Sequence, residues 1–106
     1  MVKELRRRYI LFRLDTTSPF ARRDVVGKIK ESVDSQPFSQ ETRKGLRLIL
    51  YDPVKRMGVV RCNQRDVDEV RKLLNALGHT ELGLQTVRTS GTIKTLQQKF
   101  QVDKER

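Results

Sequence analysis

Between Arg8 and Phe100 the apolar residues switch between two spacings, and the order of those spacings leaves little choice of architecture. Arg8-Tyr9-Ile10-Leu11-Phe12-Arg13-Leu14 has period two, with Ile10, Phe12 and Leu14 on one side and Tyr9 and Leu11 on the other. A strand with apolar groups on both sides belongs in the middle of a sheet. Ser18-Pro19 reads as a cap followed by proline at the first helical position, and Val25 or Val26, Ile29 and Val33 then recur at helical spacing to about Ser35. Pro37 ends this helix, and a polar connection with one helical turn after Ser39 leads to Gly45. Leu46 to Tyr51 and Met57 to Cys62 read as two strands of a hairpin, joined across the Asp52-Pro53 step. Asn63, with Asp66 three residues on, resembles a capping arrangement. Val67, Val70, Leu74 and Leu77 form the stripe of a second helix, which Gly78 closes. Leu82 to Thr89 is the last strand, followed by a short helix carrying Ile93, Leu96 and Phe100.

That order is β-α-β-β-α-β with an extra C-terminal helix. It predicts an α+β, ferredoxin-like or RRM-like fold, with both main helices on one face of a four-stranded antiparallel sheet. Residues 1–106 make one domain with an ordered core of about 7–100, and residues 1–6 and 101–106 are expected to be flexible. There is no internal repeat, no long apolar run and no opening signal peptide, which predicts a soluble protein, not exported by that route and independent of membranes.

Counting residues removes most enzyme classes. Cys62 and His79 are the single cysteine and the single histidine. One of each makes neither a zinc site nor a disulfide. Cys62 lies in an apolar strand, where a small buried side chain is its expected role, and His79 follows Gly78 at a helix end. No glycine-rich phosphate loop, GxSxG elbow or HExxH pair occurs. Asp66, Asp68 and Glu69 fall in the first turn of a helix, where they complement its dipole. The sequence offers no catalytic residue, no metal ligand and no bound cofactor.

Binding is better supplied. Lys and Arg number 23 against 13 Asp and Glu, a net charge of +10, which points to a polyanionic partner. Between residues 43 and 65, Arg43, Lys44, Arg47, Lys55, Arg56, Arg61 and Arg65 stand against Asp52 alone. Arg6, Arg7 and Arg8 add a cluster beside Tyr9. The stretch Thr89-Ser90-Gly91-Thr92-Ile93-Lys94 marks a strand giving way to a helix, with no Asp or Glu between Glu81 and Asp103. Unpaired N–H groups at such a helix start, with hydroxyls, a glycine, Lys94 and Lys99 close in sequence, suit a phosphate oxygen. The predicted RNA-binding set is Arg6, Arg7, Arg8, Tyr9, Arg47, Arg61, Ser90, Thr92, Lys94 and Lys99. Sheets of this topology often stack bases on aromatic side chains, but Met57 to Cys62 has none. Tyr9 and Tyr51 are the plausible stackers outside the core, so shape and phosphate contacts should dominate over base readout.

Three segments carry a resemblance: Arg8-Tyr9-Ile10-Leu11-Phe12, Gly58-Val59-Val60-Arg61-Cys62-Asn63, and Ser90-Gly91-Thr92-Ile93-Lys94 with Gln98-Lys99-Phe100 downstream. In this order and spacing they resemble the archaeal and eukaryotic ribonuclease P protein component 2 family. The resemblance implies a non-catalytic subunit of a ribonucleoprotein whose RNA removes 5′ leaders from precursor transfer RNA, using Mg²⁺. It also implies binding to the catalytic RNA, a larger protein partner of TIM-barrel-like fold, a possible homodimer within a heterotetramer, and a cytoplasmic location, or a nuclear one in a eukaryote. Residues 16–45 carry no part of the resemblance.

Other classes predict different behaviour. A generic RNA-binding or ribosome-associated module needs no stable protein partner. A regulatory ferredoxin-like domain needs a defined pocket with few charges. A nuclease in its own right needs Mg²⁺-dependent cleavage without RNA.

Overall fold

The computed structural model of the chain describes residues 6–16 and 20–91. Strand β1 (Arg7–Leu14) is followed by helix α1 (Arg22–Asp34), short helix α2 (Gln40–Gly45) and strands β2 (Arg47–Asp52) and β3 (Met57–Asn63). Helix α3 (Val67–Ala76) and strand β4 (Leu84–Ser90) complete the described elements. The strands pair antiparallel throughout in the order β2-β3-β1-β4, the split βαβ arrangement that the periodicity predicts. β1, apolar on both sides, lies inside the sheet between β3 and β4.

Helices α1 and α3 share one face. Ile10, Phe12 and Leu14 of β1, Val60 and Cys62 of β3 and Leu84 of β4 pack against Val25, Ile29 and Val33 of α1 and Val70, Leu73 and Leu74 of α3. The α1 stripe uses Val25, fully buried, whereas Val26 is 39% exposed. Leu73 joins the predicted α3 stripe because a helix face wide enough to cover a sheet needs more than one residue per turn.

Several local expectations need correction. α1 begins at Arg22 with Ala21 in the cap position, and the Asp24 carboxylate accepts the Ala21 N–H at 3.0 Å. Ser18-Pro19 lies outside the described residues, as does the helix expected over Ile93 to Phe100. Asn63 does not cap α3 with its side chain. Its amide is buried and donates to the Glu41 carbonyl at 3.2 Å, tying β3 to α2, and one turn of 3-10 helix (Gln64–Asp66) intervenes before Val67. α3 ends at Ala76 and runs into a second 3-10 turn (Leu77–His79), stopped by the Thr80 hydroxyl bonding to the Leu77 carbonyl at 2.6 Å. Among the glycines the positive φ, 57°, falls at Gly83, five residues after Gly78, where Asp15 leaves no room for a side chain.

Other turns follow their local chemistry. Ser39 caps α2 by accepting the Thr42 N–H at 3.2 Å. In the β2–β3 hairpin the Asp52 carboxylate accepts the Val54 and Lys55 N–H groups at 2.9 and 3.2 Å, a turn that aspartate builds with its own side chain. Both sheet edges are met by helix side chains. Arg22 donates to the Leu48 carbonyl at 2.6 Å, and Asn75 Oδ1 accepts the Thr86 N–H at 3.2 Å. Such contacts discourage stray strand pairing. Among the described residues no helix is long and apolar enough to cross a membrane.

Candidate nucleic-acid interface

The sheet face turned away from α1 and α3 is organised by two bulges, one in each edge strand. In β2, Leu48 pairs with Val60 and Leu50 with Val59, so Ile49 is the extra residue. In β4, Thr86 pairs with Phe12 and Arg88 with Leu11, so Val87 is the extra residue. Because strand side chains alternate, one inserted residue moves everything beyond it to the opposite face. Without the first bulge, Arg47 would lie opposite Cys62 on the helix-covered face; with it, Arg47 lies opposite Arg61. Without the second, Ser90 would lie opposite Arg8; with it, Ser90 lies opposite Tyr9 and Arg88 opposite Leu11.

The outcome is one continuous row across all four strands, Arg47–Arg61–Tyr9–Ser90. Three inter-strand steps give it a width of about 14 Å. The next row, Leu50–Val59–Leu11–Arg88, is apolar for three of its four members. Leu11 and Val59 are fully buried there, with Tyr9, Ile49, Leu50 and Met57 packed around them. Arg13 and Gln85 share the row after that, and the Arg13 guanidinium donates to Gln85 Oε1 at 3.3 Å. Asp52 is the one acidic residue in the four strands, and its carboxylate is engaged in the hairpin turn. The face is cationic with an apolar centre.

Four of the ten predicted binding residues therefore meet in one row: Arg47, Arg61, Tyr9 and Ser90. Arg7 occupies the register position opposite Asn63, at the end of β1. Arg8 falls on the other face, opposite Cys62. A Cβ on Gly91 would come within 2.8 Å of Arg8 Nη1, so the missing side chain at Gly91 makes room for Arg8 rather than for a ligand. Arg6 precedes the strand, and its carbonyl accepts the Gln64 N–H at 2.8 Å. Thr92, Lys94 and Lys99 lie outside the described residues, while Thr89 and Ser90 belong to β4 itself. Arg88 was missed in the sequence because nothing in Leu84 to Ser90 marks a bulge.

Two expectations for the basic segment change. Tyr51 is not a stacker on this face. It pairs with Gly58 on the helix-covered side of the sheet, where its hydroxyl donates to the Phe20 carbonyl at 2.7 Å. Burial, and after it the charge of Asp24, raises its phenol pKa. Of the seven cations between residues 43 and 65, Arg43 pairs with Asp34 at 2.7 Å and bonds to the Gln36 and Phe38 carbonyls, and Arg65 pairs with Glu41. Those two hold the α1–α2 connection and α2 in place. Arg47 and Arg61 have no hydrogen-bond or ion-pair partner among the described residues, and Arg61 Nε is buried without an acceptor.

Elsewhere, Cys62 is buried as expected, and desolvation, with Asp66 second, pushes its thiol up to about 11. A groove of about 440 Å³ lies between α1 and β2, with Val26, Ile29 and Leu48 in its wall and Arg22, Lys30, Asp34 and Arg43 around it. That lining is not the sparsely charged pocket of a small-molecule regulatory domain. Among the described residues no group of three or more His, Cys, Asp or Glu is placed to hold a metal ion.

The fold and this face define a class: a small α+β domain of ferredoxin-like topology with a basic sheet surface. The sequence narrows it. Residues 8–101 match the model of the Rpp14/Pop5 family, and the chain belongs to that family of ribonuclease P protein subunits. It is 28% identical over 97 residues to the "Ribonuclease P protein component 2" of Thermococcus kodakarensis (strain ATCC BAA-918 / JCM 12380 / KOD1). That alignment covers 88% of this chain and 81% of the relative.

Proposed function

We propose that this chain is a non-catalytic protein component of ribonuclease P that binds the particle's catalytic RNA through the second face of its sheet, and so supports removal of 5′ leaders from precursor transfer RNA. Family membership over nearly the whole chain supports the particle. The observation that supports the RNA contact is the Arg47–Arg61–Tyr9–Ser90 row, assembled from four separate strands by two bulges. Arginines supply bidentate phosphate contacts, and Tyr9 supplies a ring at the row's centre. In this reading the RNA carries the chemistry together with Mg²⁺, and the protein holds no cofactor of its own. The positive face offsets phosphate repulsion where RNA segments approach, a task otherwise left to cations.

The larger TIM-barrel-like ribonuclease P subunit is the proposed protein partner, with two copies of this chain in a heterotetramer, in the cytoplasm or, in a eukaryote, the nucleus. The buried cluster around Leu11 and Val59 gives the face an apolar centre of the kind that protein interfaces use. Reconstitution tests the reading. A cognate catalytic RNA at limiting Mg²⁺ should cleave precursor transfer RNA faster with this chain and its partner than with the partner alone. Equal rates would refute the role. Cleavage by the protein without RNA would favour a nuclease instead.

A further inference from the structure

Arg47 and Arg61 face each other directly across β2 and β3, and this pairing of like charges opposes the fold. Arg61 adds a second cost, since its Nε–H is buried without an acceptor. Neither side chain has an acidic or hydrogen-bonding partner among the described residues, while Arg43 and Arg65 nearby in sequence both have one. The arrangement also depends on an irregularity. The extra residue at Ile49 is what turns Arg47 onto the face of Arg61. A bulge that re-aims a side chain toward an unpaired, half-buried guanidinium makes physical sense if something anionic completes the site.

We propose that Arg47 and Arg61 form a clamp for one tetrahedral oxyanion, a phosphodiester of the bound RNA, with the terminal N–H groups of the Arg61 guanidinium donating to one oxygen and Arg47 closing from the edge strand. This deepens the RNA-binding reading and rests on it for the source of the phosphate. Two guanidiniums across one phosphate convert the repulsion between them into attraction to a shared charge. Tyr9 stands next to Arg61 in the same row, where its ring can meet the sugar or base attached to that phosphate. The clamp and the ring together favour a single-stranded or splayed nucleotide over a regular helix.

The side-chain Nε–H resonance of Arg61 reports the site in the free, full-length protein. Titration with inorganic phosphate, at ionic strength held constant with chloride, should move that resonance saturably. Arg47→Gln should weaken the apparent affinity about tenfold or more. Arg61→Lys keeps the charge but loses the fork and should weaken it similarly. In low salt without phosphate, Arg47→Gln should raise the melting temperature, because it removes the repulsion. The clamp is overturned if chloride alone produces the same shift, if Arg47→Gln titrates like the wild type, or if that variant melts lower than the wild type without phosphate. A responsive clamp in a protein that fails to activate the catalytic RNA would sustain the anion site and overturn the RNA as its source. Activation with a silent clamp would overturn the clamp and leave the functional reading standing.

Discussion

The ring of Phe12 occupies the space that a side chain at position 58 would need. A Cβ built on Gly58 would sit 2.5 Å from Phe12 Cζ and 2.8 Å from the Leu50 carbonyl oxygen. Phe12 is fully buried at the centre of the sheet and cannot swing clear. Gly58→Ala should therefore destabilise the fold by about 1–3 kcal/mol, as over-packing does. Urea unfolding followed by circular dichroism checks this, and an unchanged midpoint would contradict the packing described.

Gly45 and Asn63 form a second such pair. A Cβ on Gly45 would lie 2.6 Å from Asn63 Oδ1, and Asn63 is 2% exposed. Gly45→Ala and Asn63→Ala should each be destabilising. Their double variant should recover part of the loss, a coupling of about 0.5–3 kcal/mol, because removing the amide frees the space the methyl needs. Additive losses would show that the contact is not what constrains position 45.

Cys62 makes the fold sensitive to alkali. Its thiol titrates near 8.5 when unfolded and at about 11 in the fold, where burial disfavours the thiolate. A raised folded pKa leaves this contribution intact below about pH 8.5 and removes it as pH climbs through about 11. The difference in unfolding free energy between wild type and Cys62→Ala should thus shrink across that window, by about 3–3.5 kcal/mol at the limit. The same burial predicts negligible alkylation of the native protein at pH 8, measured by mass spectrometry. Rapid alkylation, or a difference independent of pH, would contradict the burial.

The sequence carried the element order because periods of two and 3.6 were clean over β1, α1, β3 and α3, and because Ser39 and Asp52 bring their own turn chemistry. It did not carry register. Ile49 and Val87 are ordinary strand residues, yet each is the extra residue that turns its neighbours over. For that reason Arg47, Arg61, Tyr9 and Ser90 were legible as basic, aromatic or polar candidates but not as one row. The place of Tyr51 was misread, and Arg88 was not selected at all. Asn63 was misassigned because a capping pattern in sequence cannot show that the same amide is needed by α2 in space.

RNA binding by the second sheet face is the central claim, and fluorescence titration of the catalytic RNA at several salt concentrations tests it most directly. If about five to eight phosphates are neutralised, log K should fall against log salt with a slope of roughly −4 to −7. Arg47→Gln and Arg61→Lys should weaken binding, and Arg47→Gln should reduce the slope by about 1. Lys72→Ala, an exposed cation on α3, should change neither. A slope near zero, or row variants that bind like the wild type while Lys72→Ala binds worse, would place the RNA elsewhere on the molecule and contradict the account.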